Sequence, residues 1–214
     1  NRLQSLITLR IGLHNNESVS VLNHTVSTAI KEVLLMDFLN IIKERRSIRK
    51  FEDREIPKDV ENTLLEAVQW SQSWANTQCW EVLVIKDKDV RSRLQETMGK
   101  GNPASKAIVD APLLVGLAGR LQSAGYYKGQ EVTKFGDWFL FDLGLATQNL
   151  CLTAHALGLG SVVVGLFDHD KAKEALAIPD GYELPVLVPL GYPAQSPKPP
   201  KRRDIEEFLH YDHF

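Results

Sequence analysis

The sequence has few cysteines and no grouping of metal ligands. Its two cysteines, Cys79 and Cys151, lie far apart, with no Cys-x-x-Cys motif and no histidine at ligand spacing. This pattern argues against a disulfide framework and against a zinc site, and it fits a reducing compartment best. We therefore expect a cytoplasmic protein without a structural metal.

An excess of charge of one sign is also lacking. The chain has 25 basic and 27 acidic residues and a formal net charge of -2, so no overall field attracts nucleic acid or an anionic membrane. The longest apolar stretch, residues 138–160, is interrupted by Asp142, Gln148, Asn149 and His155. Such groups are costly in hydrocarbon. We expect a buried helix there, and neither a membrane nor a nucleic acid as partner.

The chain of 214 residues is long enough for one substantial core. A dense pattern of apolar and polar residues begins at Met36, the first methionine. We therefore expect one domain over residues 36–214 and an N-terminal extension over residues 1–35. The extension has no continuous apolar signal core. Its start, NRLQSLITLR, is weakly similar to a transit peptide. We favour Met36 as the natural start, with the earlier residues an extension or an artefact of how the sequence was delimited.

Helices and strands alternate along the domain, which is typical of a mixed α and β fold. Five segments have helical apolar spacing: one ending near residue 42, one after Pro57, one over 88–98, one from about Phe135 to Leu157 and one over 168–177. Four apolar runs predict strands: 80–87, 111–119, 160–167 and 184–193. The polar stretch 120–135 is too long for a simple connection and is a candidate functional loop.

A run of cations, KERRSIRKFED, occupies residues 43–53. Cations near a helix C-terminus can be structural, because that end carries negative partial charge. This explanation is adequate for Lys43 and Lys50 but not for the whole run. Guanidinium forks and a hydroxyl can also bind several oxygens of one phosphate. On composition alone, a solvated charged face and a phosphate site both stay open. The candidate phosphate ligands are Arg45, Arg46, Ser47 and Arg49.

A second segment, SQSWANTQCW, occupies residues 71–80 between a predicted helix and a predicted strand. Small and amide side chains there can simply form a turn. Amide donors and acceptors beside aromatic surface would also suit the edge of a flat heteroaromatic ligand. The side chains that would serve this purpose are Ser71, Ser73, Trp74, Asn76 and Gln78.

Taken in order along the chain, these segments resemble the FMN-dependent nitroreductase family. The motifs are RRSIRKF, the SxSxxNxQ stretch before Trp80, LGLGSVVVGLF after a long helix, PVLVPLGYP, and a basic tail before IEEFL. The resemblance covers about residues 36–210. It implies an α+β fold with a central, mainly antiparallel sheet flanked by helices. It also implies a homodimer with FMN at the interface, where residues from both chains reach the cofactor.

The same resemblance assigns cofactor-binding roles to residues of this chain. It places Arg45, Ser47 and Arg46 at the FMN phosphate and ribityl chain. It places Arg49 at the pyrimidine side of the ring, where a cation stabilises the charge left by reduction. The remaining implied contacts are Ser73, Trp74 and Asn76 from the partner chain, Asn102 with Lys106 as its rival, the backbone of Val164 and Gly165, and Lys201 and Arg202 with Arg203 as an alternative.

One departure from the family pattern is visible, because Cys79 stands where the family usually has proline. No neighbouring base in the sequence would activate this thiol. GLGSVVVG is not a dinucleotide fingerprint either, since its glycines precede a strand and lack the GxGxxG spacing. None of the six histidines gives a catalytic motif.

The resemblance implies an FMN-dependent NAD(P)H oxidoreductase without a catalytic residue of its own. NADH or NADPH would pass a hydride to FMN, and a nitroaromatic, a quinone or a similar acceptor would then bind the same face in a ping-pong scheme. A specialised flavin-dependent relative (dehalogenating, flavin-fragmenting or ring-oxidising) and a non-catalytic flavin or nucleotide-phosphate binder stay open. The candidate substrate-lining residues, for which plain packing is an equal alternative, are Tyr126, Tyr127, Phe135 and Trp138.

Overall fold

The structure, a computed structural model, describes residues 38–214. The expected extension over residues 1–35 and the expected start at Met36 lie outside the described residues. Residues Glu44–Phe214 form one compact unit, and this unit contains the sheet and all the sites discussed below. None of its helices, nor any other among residues 38–214, is long and apolar enough to cross a membrane.

Six helices, two short 3₁₀ helices and six strands make up the described part of the chain. Residues 38–44 are helical and are called α1. In chain order, the elements that follow are α2 (Lys58–Gln69), a 3₁₀ helix (Trp74–Asn76), β1 (Trp80–Ile85), α3 (Lys88–Glu96), α4 (Ser105–Asp110), β2 (Leu113–Arg120), β3 (Tyr126–Tyr127), β4 (Gln130–Glu131), α5 (Phe139–Ala156), β5 (Gly160–Ser161), α6 (His169–Ala175), β6 (Tyr182–Gly191) and a 3₁₀ helix (Ile205–Glu207).

The main sheet has the strand order β1-β2-β6-β5, and every pairing in it is antiparallel. The strand β2 is buried along all but its last residue, as its continuous apolar sequence predicts. Because side chains alternate along a strand, Leu114 packs toward α3, α4 and α6, and Leu117 packs toward α2 and α5. Helices therefore cover both faces of an antiparallel sheet, and the predicted α+β fold is confirmed.

The predicted strand over residues 160–167 is wrong beyond Ser161. Only β5 pairs continuously with β6; farther along, Val164 forms an isolated bridge with Leu187 of β6, and Phe167 forms one with Met98 instead. The reason lies in β6, where Pro189 accepts a hydrogen bond from Val162 N–H through its carbonyl at 3.3 Å but has no N–H to return one. Two residues beyond Leu187 in the same direction, Pro185 also lacks a backbone N–H. Proline on this edge therefore interrupts the ladder.

Helix bounds differ from the predicted ones by a few residues at most ends. The helix α2 begins directly after Pro57, and α5 begins at Phe139 instead of near Phe135. At that end, the Asp137 carboxylate accepts a hydrogen bond from Phe139 N–H at 3.2 Å. The elements that were not predicted are the short helix α4, the two 3₁₀ helices and the β3–β4 hairpin inside the 120–135 stretch.

The helix α5 is buried along one face only. Leu143, Ala146 and Leu150 pack in the core beneath it, whereas Leu140 and Phe141 are each 57% exposed. Within a single chain, the prediction of a buried helix is therefore correct for one face of α5 only. The other face exposes an apolar strip to solvent.

Replacing Arg91 is expected to destabilise the fold without touching any ligand site. This residue of α3 is 7% exposed, and it donates hydrogen bonds from Nε to Ile85 O at 2.8 Å and from Nη1 to Ala111 O at 2.6 Å. Arg91→Met would leave these carbonyls unpaired, which costs about 2–4 kcal/mol of unfolding free energy. Urea denaturation measures the loss. Arg93→Met, at an exposed position of the same helix, should change stability little, and equal losses in both variants would contradict the role of Arg91.

Acid should remove a stabilising ion-pair cluster at Glu61. The hydrogen bond from Lys58 and the nearby Lys86 hold the pKa of this buried carboxyl below its ordinary value of 4.5. A lowered pKa stabilises the fold above pH 4.5, and this contribution is lost as the pH falls through the folded-state pKa. Wild-type stability should therefore fall more steeply below pH 4.5 than that of Glu61→Gln. Denaturation series at several pH values test this, and parallel curves would contradict it.

Candidate functional site

The cationic segment is held against the edge of the main sheet. Ser47 forms a parallel bridge with Ser161 of β5, and Ile48 N–H donates a hydrogen bond to Ser161 O at 2.9 Å. The Ile48 side chain is 6% exposed and packs directly over Gly160, where a Cβ atom would lie 2.5 Å from Ile48 Cγ1. Because alternate residues face opposite ways in an extended segment, burying Ile48 turns its neighbours Ser47 and Arg49 away from the core.

Those neighbours form a cavity of about 240 Å³ whose charged side chains are all cations. Part of its wall comes from the chain near the C-terminus, which the family resemblance implied would fold back to the phosphate. Several guanidinium groups and one hydroxyl around a single cavity suit an anion with several oxygens, such as a phosphate. The lining residues are Arg45, Arg46, Ser47, Arg49, Pro197, Lys198, Pro200 and Arg202.

The C-terminal contribution differs in part from the predicted one. Arg202 lines the cationic cavity, whereas Lys201 does not, and Lys198 takes part instead. Arg203 is not in the wall, because its Nε pairs with Glu207 at 3.5 Å within the last 3₁₀ helix. The wall therefore contains Arg202, and not Arg203, among the tail arginines, and it also contains Lys198, which the sequence analysis did not name.

A second cavity of about 350 Å³ shares Arg49 with the cationic cavity. Its other walls are the loop 99–104 and the segment 162–166, so the predicted Asn102, Val164 and Gly165 all lie in its lining. Arg49 Nε is buried and has no hydrogen-bond partner among the described residues. A buried donor left unpaired is costly, and the residue that carries this one lines both cavities.

Asn102 organises this second cavity instead of offering a free amide. Its Nδ2 donates to Leu166 O at 3.1 Å, and its Oδ1 accepts from Ala104 N–H at 2.9 Å, so it ties the two walls together. Lys100 is a lining cation that the sequence analysis missed, and the rival candidate Lys106 does not line the cavity.

Of the two predicted backbone donors, only one is available. Val164 N–H already donates to Leu187 O at 2.9 Å. Gly165 N–H has no protein partner among residues 38–214, and a Cβ atom at Gly165 would approach only Pro185 O, at 3.4 Å. The chain's own packing therefore does not require glycine at this position, and its amide can reach a ligand.

The loop that carries Ser73, Trp74 and Asn76 lines neither of these cavities. Its backbone is unusual, since Ala75, Asn76 and Gln78 have φ values of 46°, 55° and 46°. Left-handed conformations cost residues other than glycine about 1 kcal/mol or more each. Such a loop persists only when other contacts hold it.

Those contacts centre on Asp142, a residue of α5 that is fully buried. Its carboxylate accepts Trp74 N–H at 2.9 and 3.1 Å and lies 3.5 Å from Cys79 Sγ. Burial is the main cause, and the negative charge of Asp142 the second, that raises the pKa of the Cys79 thiol to about 12. Cys79 is therefore a protonated hydrogen-bond donor at neutral pH and not a reactive thiolate. Sequence reasoning registered Asp142 only as an interruption of an apolar stretch.

The aromatic substrate candidates form a separate surface. Phe135 and Trp138 line a cavity of about 270 Å³ at the start of α5, together with Asp137, Leu140 and Phe141. The rings of Phe135 and Trp138 lie edge to face, with their centroids 6.2 Å apart. Tyr126 and Tyr127 lie on β3 and line none of the three cavities described here. Phe135 is 70% exposed, so plain core packing does not explain it within one chain.

The fold and these cavities define a class of protein. An antiparallel α+β domain with a cationic cavity beside a second, larger cavity has room for a ligand that carries a phosphate at one end. Residues 42–192 match the family model described as "Nitroreductase family". The chain belongs to the nitroreductase family.

Individual relatives agree with this assignment. Proteins provisionally named NADH dehydrogenase/NAD(P)H nitroreductase are similar in sequence. The one from Archaeoglobus fulgidus is 30% identical over 72% of this chain and 84% of its own length. The one from Methanothermobacter thermautotrophicus is 29% identical over 78% and 82%. The solved NADPH:FMN oxidoreductase of Vibrio harveyi, complexed with NAD+, has a TM-score of 0.70 at 22% identity, covering 83% of this chain and 77% of that one.

Proposed function

We propose that the protein is an FMN-dependent NAD(P)H oxidoreductase that reduces nitroaromatics, quinones or similar small oxidised acceptors. The observation that carries this proposal is the pair of cavities that share Arg49: all charged residues around one are cations, and the other is lined mainly by the loop 99–104 and the segment 162–166. The names of the similar proteins point the same way, since they include NAD(P)H nitroreductases and an NADPH:FMN oxidoreductase.

The residues present fit FMN at both of its ends. The cationic cavity offers Arg45, Ser47 and Arg202 to a phosphate. The second cavity offers the unpaired Nε of Arg49 and the free N–H of Gly165 to the polar edge of a ring. Bound FMN supplies the redox chemistry, in which a hydride is accepted from a nicotinamide and passed to an acceptor. The protein's part is to bind the phosphate, orient the ring and leave one face open.

A homodimer would complete this site. The loop with Ser73, Trp74 and Asn76 lines neither cavity of its own chain, which supports the proposal that it reaches FMN in a partner copy. Leu140 and Phe141 form an exposed apolar strip on α5, and a strip of this kind on a helix suits burial against another chain. The aromatic surface around Phe135 would then line the acceptor's side of the partner's flavin.

A cytoplasmic location is part of the same proposal. Both cysteines are buried and free, which fits a reducing compartment. NADH and NADPH are available there as hydride donors, and no other protein is required as a partner.

The test begins with the colour of the purified protein. We expect a yellow protein whose released cofactor is FMN. Anaerobic mixing with NADH or NADPH should bleach the visible flavin absorbance, and adding a nitroaromatic or a quinone without oxygen should restore it. A colourless protein that does not take up added FMN would refute the proposal. A yellow protein that neither nucleotide bleaches would be a flavin binder without reductase turnover.

A further inference from the structure

A buried acid at the start of α5 has no cation to balance it. Asp142 is fully buried, and no salt bridge reaches it within residues 38–214. Burying a carboxylate without a cationic partner is unfavourable, although its place in the first turn of a helix offsets part of this cost. Burial accordingly raises the pKa of the Asp142 carboxyl, against the hydrogen bond from Trp74 N–H. The hydrogen bonds that the carboxylate accepts must therefore offset the rest of this cost.

The contacts of Asp142 converge on the two ends of one loop. Trp74 N–H reaches both carboxylate oxygens, at 2.9 and 3.1 Å. The thiol of Cys79, five residues later, lies 3.5 Å from Oδ2. Between these two anchors lie the left-handed residues Ala75, Asn76 and Gln78. One carboxylate therefore ties together the ends of a segment that is unfavourable in isolation.

The same segment orients polar side chains. Gln78 N–H donates to Ser73 Oγ at 3.0 Å, and Gln78 Nε2 donates to Asn76 Oδ1 at 3.3 Å. These bonds close across the left-handed residues, which turn Gln78 back toward Ser73. Releasing the anchors would free Ser73 and Asn76 from their present arrangement.

We propose that Asp142 is a positioning residue for the flavin: by holding Trp74 and Cys79, it fixes the loop 73–78 in the conformation that presents Ser73 and Asn76 to FMN. This inference rests on the proposed function, which assigns the loop to FMN binding. Asp142 itself lines none of the three cavities described above, so it acts through the loop and not by contact.

A matched control separates positioning from general stability. Glu61 is also a buried acid, at 5% exposure, but it pairs with Lys58 at 2.6 Å and with Lys86 at 3.1 Å. It lies on α2 and lines none of the same three cavities. Glu61→Gln therefore disturbs a buried carboxylate while leaving the loop and its anchors in place.

The experiment compares full-length Asp142→Ala, Asp142→Asn and Glu61→Gln with the wild type. FMN affinity is measured by titrating apoprotein with FMN and following flavin fluorescence, and backbone hydrogen exchange over residues 73–79 is measured by mass spectrometry. Asp142→Ala removes a charged acceptor, so FMN should bind about 10-fold more weakly or worse, and Trp74 N–H should exchange faster. Asp142→Asn keeps an oxygen for Trp74 and should recover most of both losses. Glu61→Gln should match the wild type in both measurements.

The possible results divide clearly. Wild-type FMN affinity in Asp142→Ala would overturn the inference alone, as would an equal loss in Glu61→Gln. A wild-type protein that binds no FMN would overturn the proposed function and this inference with it. If Asp142→Ala does not fold, Cys79→Ala replaces it, because it removes one anchor and leaves the carboxylate. It should weaken FMN binding about 3-fold, and unchanged binding and exchange would again overturn the inference.

Discussion

Arg45→Ala is expected to lose FMN on purification. Arg45 is half-buried in the wall of the cationic cavity, beside a segment that β5 holds in place. Its guanidinium can form two charge-assisted hydrogen bonds with one phosphate. At about 1.5–3 kcal/mol for each bond to a charged group, the variant should bind FMN about 100-fold more weakly or worse. Flavin absorbance after desalting and FMN titration of the apoprotein measure this loss.

Arg49→Ala should behave differently, because Arg49 lines both cavities. The phosphate contacts of Arg45 and Arg202 would remain, so the variant should keep part of its FMN. It would lack the cation that stabilises negative charge on the reduced ring. We expect the two-electron reduction potential to fall by about 30–60 mV, which corresponds to about 1.4–2.8 kcal/mol. Equilibrium titration against a dye of known potential measures it.

Lys50→Ala is the matched control for both arginine variants. Lys50 belongs to the same cationic run, but it is exposed and lines neither cavity. It should retain wild-type FMN content and potential. Loss of FMN in this variant would show that net charge, and not the cavity, controls binding. Wild-type behaviour in both Arg45→Ala and Arg49→Ala would contradict the assignments.

The order of the main elements could be predicted because the apolar pattern is local. The run that became β2 is apolar throughout, and it is buried in the middle of the sheet. Residues 160–167 have an equally apolar pattern, but only Gly160 and Ser161 pair continuously with β6, and one isolated bridge follows at Val164. The pattern correctly marks Val162 and Val164 as core. It carries no information on whether the facing strand has N–H groups to offer, and Pro185 and Pro189 decide that.

In the candidate site, too, residues close together in the sequence could be predicted to act together, whereas contacts between residues far apart in the sequence could not. The cationic segment was predictable because Arg45 and Arg49 lie within a few residues of each other. The wall contributed by Lys198 was not, since only the folded chain shows which tail cation returns to the cavity. The role of Asp142 was also hidden, because its partner Trp74 lies 68 residues away. A polar residue within an apolar helix signals a buried contact without naming it.

Gly160→Ala is expected to damage the fold and cofactor binding together. A Cβ atom at residue 160 would lie 2.5 Å from Ile48 Cγ1 and 2.6 Å from Ile48 Cβ. Ile48 Cβ is bonded to the main chain, so a change of rotamer cannot relieve the contact. The segment would have to move off β5, and the hydrogen bond from Ile48 N–H to Ser161 O, 2.9 Å long, would stretch.

The expected result is a loss of about 1–3 kcal/mol of unfolding free energy from overpacking, together with at least about 10-fold weaker FMN binding, since Ser47 and its charged neighbours would shift with Ile48. Urea denaturation and FMN titration of the same preparation measure both effects. Ile48→Val is the control, because it removes one methyl group from the same contact without pushing the segment away. It should cost about 0.5–1.5 kcal/mol and leave FMN affinity close to that of the wild type. If Gly160→Ala lost stability but bound FMN normally, the cationic cavity would not depend on the way this segment is held by β5.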